Sequence, residues 1–308
     1  MTPSDPSRRI AARAAIALLV GLALGTGCEH SGPSGTASPS VAASATRTAV
    51  PRRIVSLGPS STELVFALGA GERLVGATSA CDWPPAARSV PRVGGYGNPQ
   101  IELVLARRPD IVLVPAEGAL REPAETLRRL GLRVQPVTVT SIPQLFEATR
   151  QLAATLGREQ AGARLVATLR ARLERVAASV RGLPRPRVLV VVGHEPLVVA
   201  GRHNFLDEAL RLAGARNALE TADTRWPTID GETLLALDPD AIVDVAMDGA
   251  DEREARLRWW RERFGSLRAV AQHAVLLPSP DLLVRPGPRL VDGIAWLAQA
   301  LHEPRRGR

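Results

Sequence analysis

A phrase that occurs twice constrains this chain most. Glu102-Leu-Val-Leu-Ala-Arg-Arg-Pro-Asp110 runs into Ile-Val-Leu-Val, and Glu232-Thr-Leu-Leu-Ala-Leu-Asp-Pro-Asp240 runs into Ala-Ile-Val-Asp-Val. An aromatic stands six residues before each glutamate, Tyr96 in one copy and Trp226 in the other. A repeat at such range predicts two similar lobes, each carrying one helix–turn–strand unit. Two lobes make a cleft between them, and two equivalent glutamates make a paired surface. That arrangement leans toward binding rather than catalysis.

Apolar runs bounded by glycine and proline mark the strands. Arg53 to Leu57, Leu74 to Thr78, Ile111 to Pro115 and Val134 to Val139 read as strands of a first half. Val188 to Val192, Leu197 to Ala200, Ala241 to Val245 and Ala274 to Leu277 read as strands of a second. Helical segments alternate with them, so the fold class is α/β with parallel sheets covered by helices. Ser60 and Glu63 have the spacing of a capping box that opens a helix, and Ser141 with Gln144 repeats it. Between the halves, Leu165, Val166, Leu169, Leu173, Val176 and Val180 recur at helical spacing. A helix from Arg158 to Val180 would be about 35 Å long, enough to cross from one lobe to the other.

The N-terminus reads as an address. Arg8, Arg9 and Arg13 precede an apolar run from Ala14 to Leu24. That run is shorter than the roughly 20 residues of a membrane span and suits the apolar part of a signal peptide. Leu24-Gly-Thr-Gly-Cys28 resembles a bacterial lipobox, which implies cleavage before Cys28 and lipidation of its thiol. An ordinary secretory signal with an incidental cysteine is the alternative. Residues 1–27 are thus the expected lipoprotein signal peptide. Residues 28–50, rich in Ser, Thr, Ala, Gly and Pro, are the expected flexible tether. Residues 51–140 form the expected N-terminal lobe, 141–183 the helical connection, 184–303 the C-terminal lobe and 304–308 a loose tail.

All 39 basic residues are arginine and the formal charge is +8. The arginines are scattered and no stretch interleaves them with aromatics, so nucleic acid is not an expected partner. Two cysteines, Cys28 and Cys81, rule out a disulfide framework or a cysteine-cluster metal site. With Cys28 acylated, Cys81 is a free thiol. No His-Glu-x-x-His, nucleophile–base motif or phosphate loop is present, so no enzyme, catalytic residue, cofactor or bound metal is expected.

The phrases Arg53-Ile-Val-Ser-Leu-Gly-Pro-Ser-Ser-Thr-Glu63, Leu68-Gly-Ala-Gly71, Cys81-Asp-Trp-Pro-Pro85 and Val93-Gly-Gly-Tyr-Gly-Asn98 lead into Glu102. Together they resemble the cobalamin-binding substrate-binding proteins of ABC importers, a group that also includes binders of ferric siderophores and haem. The resemblance runs from about Arg52 to Leu301. It implies two Rossmann-like lobes joined by a rigid backbone helix, a class III periplasmic binding protein fold, with the ligand held between the lobes. It also implies an extracytoplasmic, lipid-anchored monomer that delivers a corrinoid to a permease dimer with its ATPase subunits.

Ligands of parallel α/β lobes sit at strand carboxyl ends. The expected ligand-binding residues are therefore Trp83, Tyr96, Pro115, Glu117, His194, Val198, Trp226, Asp281 and Arg285. Aromatic faces suit a large flat ring system. Asp281 and Arg285 match a pair that contacts the cobalamin periphery in the family, and they can also pair with each other. Pro115 and Val198 are small where the family carries bulky aromatics. His194 follows a strand directly, where imidazole could reach a cobalt axial position; an unliganded loop histidine is the alternative. Glu102 and Glu232 match glutamates that meet permease arginines. Ferric siderophore or haem is the rival ligand, and anionic ligands of that kind want converging arginines. A metal-ion receptor is a more distant rival, since the body has no histidine before His194.

Overall fold

The computed structural model describes residues 49–116, 118–246 and 253–303. The expected signal peptide, Cys28, nearly all of the tether, Glu117 and the 304–308 tail lie outside them. In the first half the elements run β1 (Ile54–Ser56), α1 (Pro59–Ala67), β2 (Leu74–Ala77), a short hairpin of β3 (Gly94–Gly95) and β4 (Asn98–Pro99), α2 (Ile101–Ala106), β5 (Ile111–Pro115), α3 (Arg121–Arg129) and β6 (Val134–Val137). Then come α4 (Ile142–Leu156) and α5 (Glu159–Ser179). The second half holds β7 (Arg187–His194), β8 (Leu197–Val199), α6 (Phe205–Leu212), β9 (Arg216–Asn217), α7 (Gly231–Leu237), β10 (Ala241–Asp244), α8 (Arg253–Phe264), α9 (Arg268–Ala271), β11 (Val275–Leu276), α10 (Pro280–Leu283) and α11 (Leu290–His302).

The first sheet has the order β2-β1-β5-β6, all parallel. Its two inner strands, β1 and β5, are buried on both faces because helices cover both. Ile111 and Leu113 of β5 pack with α1 and α4, while Val112 and Val114 pack with α2 and α3. The second sheet has the order β11-β10-β7-β8, with β9 also pairing β7. Only β8 runs antiparallel in it.

The repeated phrase is one structural unit used twice. Asp110 Oδ2 accepts the Arg53 amide at 2.9 Å, and the Asp110 amide donates to the Arg53 carbonyl at 2.8 Å. Asp240 does the same with Arg187, at 2.8 Å in both directions. Each arginine then reaches back to the helix end, Arg53 to the Arg107 carbonyl and Arg187 to the Leu237 carbonyl. Arg108 and Asp238, equivalent positions in the two phrases, both turn the chain with positive φ, 45° and 33°. The aspartates therefore pin the start of the central strand in each sheet to its neighbour.

The α4–α5 pair joins the lobes. Ser141 Oγ accepts the Gln144 amide, as the capping pattern predicts, and Gln144 Oε1 answers to the Thr140 amide. Gly157 ends α4 with φ 64°, a left-handed cap that glycine adopts without strain. Helix α5 has 21 residues, about 31 Å at roughly 1.5 Å per residue. Leu165 packs against both cores, and Val166, Leu169 and Leu173 continue into the second. At the start of α4, the Ile142 amide donates to Glu208 Oε2 of α6 at 2.6 Å.

The Ser60–Glu63 capping box does not form. Helix α1 starts at Pro59 with Gly58 as its N-cap and no side-chain cap, because proline suits the first helical position. Glu63 then lies too far along to cap. It is 4% exposed and its Oε1 accepts from Arg289 Nη2 of the second lobe at 2.6 Å. Burial pushes the Glu63 carboxyl above its usual range, more than the Arg289 hydrogen bond and charge pull it down. Arg289 also lies over the Trp83 ring, 4.6 Å from its centre. Removing one partner of a buried ion pair strands the other charge. Arg289→Met is expected to lower stability by about 3 kcal/mol in urea unfolding, and adding Glu63→Gln should recover at least half of it. A loss below about 1 kcal/mol would show that the pair does not hold the lobes.

Candidate functional site

A cavity of about 420 Å³ opens where the carboxyl ends of the two sheets face each other. In the first sheet, β1 leads outward to β2 and β5 leads outward to β6, so the order reverses between β1 and β5. Such a reversal leaves a crevice at the strand ends. Pro59, Ser60 and Ser61 line the cavity just past β1, Pro115 and Ala116 at and past the end of β5, and Val137 to Thr140 at the end of β6. The second lobe gives Val192 of β7, Val245 past β10, Phe205 and Leu206 of α6, Trp226 and Val284 to Pro286. Gly58 allows the two loops of the first lobe to cross, since a Cβ there would fall 2.5 Å from Pro115 Cγ.

Hydroxyls fix the turn from β1 into the first turn of α1, which carries Ser60 and Ser61. Ser61 Oγ donates to the Gly58 carbonyl at 2.9 Å, and Thr62 Oγ1 donates to Ser56 Oγ at 2.9 Å. Cys81 lies buried beside them as a free thiol, and burial pushes its pKa up.

Tyr96, Pro115, Trp226 and Arg285 were expected in the site, and all four line the cavity. Tyr96 and Trp226 stand at the mouth from opposite lobes, 56% and 39% exposed. Phe205 supports the Trp226 ring edge-on, with centroids 5.9 Å apart. Trp83 stands outside the lining, half-exposed beneath Arg289.

Asp281 also stands outside the lining. Its Oδ1 pairs with Arg285 Nη2 at 2.8 Å, the internal pairing that the sequence allowed. Arg285 Nη1 reaches across the cleft to Asp82 Oδ1. Burial raises the Asp82 pKa, but the Arg285 hydrogen bond and charge outweigh it and hold the carboxyl below its usual range. Arg285 is the one charged side chain among the described lining residues.

The structure turns His194 away from the lining. Its Nε2 lies 3.0 Å from Asp244 Oδ2, and its ring packs 4.5 Å from that of Trp259. Asp244 is fully buried and also accepts from Trp260 Nε1 at 2.8 Å and from Arg256. Burial pushes its pKa up, but the bonds from His194, Trp260 and Arg256 win and hold it down. His194 thus sits in a polar centre that pins the carboxyl ends of β7 and β10. Val198 pairs with Thr228 in a bridge and is likewise not in the lining. Among the described residues, no group of three His, Cys, Asp or Glu side chains could hold a metal ion.

Glu102 and Glu232 are exposed in the first turns of α2 and α7. Each helix runs back against the strand that follows it, so its N-terminus lies on the cleft side of its lobe. The glutamates stand there on equivalent units.

The Periplasmic binding protein family matches residues 54–280. The chain is 30% identical over 261 residues to an uncharacterized ABC transporter substrate-binding lipoprotein, YvrC, of Bacillus subtilis, covering 82% of this chain and 80% of that protein. It is 28% identical over 251 residues to a vitamin B12-binding protein of Salmonella choleraesuis, covering 82% and 90%. A solved periplasmic heme binding protein from Pseudomonas aeruginosa is 34% identical, with a TM-score of 0.74, over 82% of this chain and 92% of that one. With two α/β lobes, a cavity at their strand ends and this match over most of its length, the chain belongs to the periplasmic binding protein family, as the non-enzymatic, extracytoplasmic substrate-binding component of an ABC importer.

Proposed function

We propose that the cleft captures cobalamin or a related corrinoid and that the chain delivers it, as a monomer, to the permease. The charge of the site carries this reading. The single cation among the described lining residues is already shared by two carboxylates, Asp82 and Asp281. A corrinoid rimmed with neutral amides needs donors and acceptors there, and no free positive charge. Haem propionates or an anionic siderophore would call for unpaired arginines. The apolar remainder of the cavity suits the edge of a macrocycle, and Tyr96 and Trp226 offer ring faces at the mouth. Haem is the second reading, favoured by the 34% identity to a heme binding protein and by the Tyr96 phenol at the mouth.

Parallel titrations with cyanocobalamin and hemin, followed by tryptophan fluorescence, separate the two. Saturable one-to-one binding of cyanocobalamin is expected, at least about tenfold tighter than hemin and weakened about tenfold by Trp226→Ala. Tighter hemin binding would transfer the assignment to haem.

Glu102 and Glu232 act as the docking pair for two permease subunits. One exposed ion pair is worth at most about 1 kcal/mol, but two on a rigid body also fix orientation. Reversing both, with Glu102→Arg and Glu232→Arg, should abolish uptake and leave cyanocobalamin affinity within about twofold. Loss of ligand binding in that variant would contradict a docking role.

Lipidation of Cys28 holds the protein at the membrane, in keeping with the lipoprotein YvrC among its relatives. A triply acylated terminus gives lasting attachment where one chain does not. Cys28→Ser should move the protein from the membrane fraction to the soluble fraction. Retention on the membrane would reject the anchor.

A further inference from the structure

Arg285 meets carboxylates on both sides of the cleft. Its side chain is 13% exposed. Asp281 holds it from its own lobe, four residues away in sequence. Asp82 holds it from the opposite lobe, 203 residues away in sequence. Asp82 is not in the cavity lining, and its side chain is 38% exposed. Four residues beyond Arg285, Arg289 is taken by Glu63 in the same cross-lobe fashion. Two guanidinium groups therefore face three carboxylates along this side of the cleft.

We propose that Asp82 sets the charge class of the ligand: by occupying Arg285 from across the cleft, it withholds that guanidinium from ligand carboxylates and leaves the site to neutral, amide-bearing ligands. A guanidinium carries five N–H donors, so one bonded to two carboxylate oxygens still has donors for an amide carbonyl. A ligand carboxylate reaching the same place meets a cation whose charge is already cancelled. It also comes close to two like charges in a partly buried setting, where repulsion is stronger than in water. Asp82 acts through Arg285 and is a positioning residue. The inference rests on the corrinoid reading for where the ligand lies, and it adds the residue that enforces neutrality.

Asp82→Asn keeps the shape and an acceptor oxygen and removes the charge. Wild type, Asp82→Asn and Asp82→Asn with Arg285→Gln are each titrated with cyanocobalamin and with hemin, which carries two carboxylates. Asp82→Asn is expected to raise hemin affinity, and the hemin-to-cyanocobalamin affinity ratio, by at least about tenfold, the scale of one charge-assisted hydrogen bond. The second substitution should cancel the gain, because it removes the cation that Asp82 acts through. The proposal is overturned by no gain in hemin affinity, by an equal gain for both ligands, or by a gain that survives Arg285→Gln. Should Asp82→Asn fail to fold, Asp82→Ser, which keeps an acceptor hydroxyl, is read by the same criteria. Failure of the wild type to bind cyanocobalamin would fell the corrinoid reading alone, since the hemin gain in the Asp82 variant is scored separately.

Discussion

A parallel sheet covered by helices on both faces has only its strand ends left open. The central strands here carry apolar runs, Ile54 and Val55, Ile111 to Val114, Val188 to Val191 and Ala241 to Val243, and each of these residues is buried. Such strands cannot face water on either side, so helices close both faces and connecting loops are forced to the ends. Where two of these lobes meet end to end, the loops after their strands become the walls of the cleft. The cavity, its aromatic mouth and the exposed glutamates all follow from that geometry.

The cross-lobe contacts add a second layer. Glu63 with Arg289 and Asp82 with Arg285 bind the lobes beside the ligand cavity, while α4 and α5 bind them along the backbone. Ion pairs of this burial gain little net free energy over well-packed apolar groups, because desolvation opposes the attraction. Their value lies in geometry. Each ties a named atom of one lobe to a named atom of the other.

Much of this was legible in the sequence where the signal is local. Strand positions, the helix from Gly231 to Leu237, the break at Gly157 and the Ser141 cap all follow from periodicity and punctuation within a few residues. The duplicated phrase announced two lobes, and Tyr96 and Trp226 fell in the cleft as equivalents. What escaped depends on contacts between distant segments. Glu63 reads as a local cap because its true partner lies 226 residues away, and Pro59 decides the helix start instead. Asp82 sits inside a recognised phrase, yet its ion-pair partner Arg285 lies in the other lobe. His194 is the last residue of β7 rather than the first after it, and the buried carboxylate of Asp244 draws its ring toward the tryptophans rather than the cavity. No spacing rule predicts which way such a side chain turns.

The twin Arg–Asp units, Arg53 with Asp110 and Arg187 with Asp240, have a consequence for assembly. They hold like helices at like positions in each lobe, so a single chain imitates a dimer on the face that carries Glu102 and Glu232. Against a partner with true two-fold symmetry, such a body can land in two poses related by a half turn. Both poses satisfy the same charges, which doubles the number of productive collisions and adds about 0.4 kcal/mol of statistical advantage. Because the partner's own half turn exchanges the two poses, they are equal in energy even where the copies differ, as Arg108 and Asp238 do.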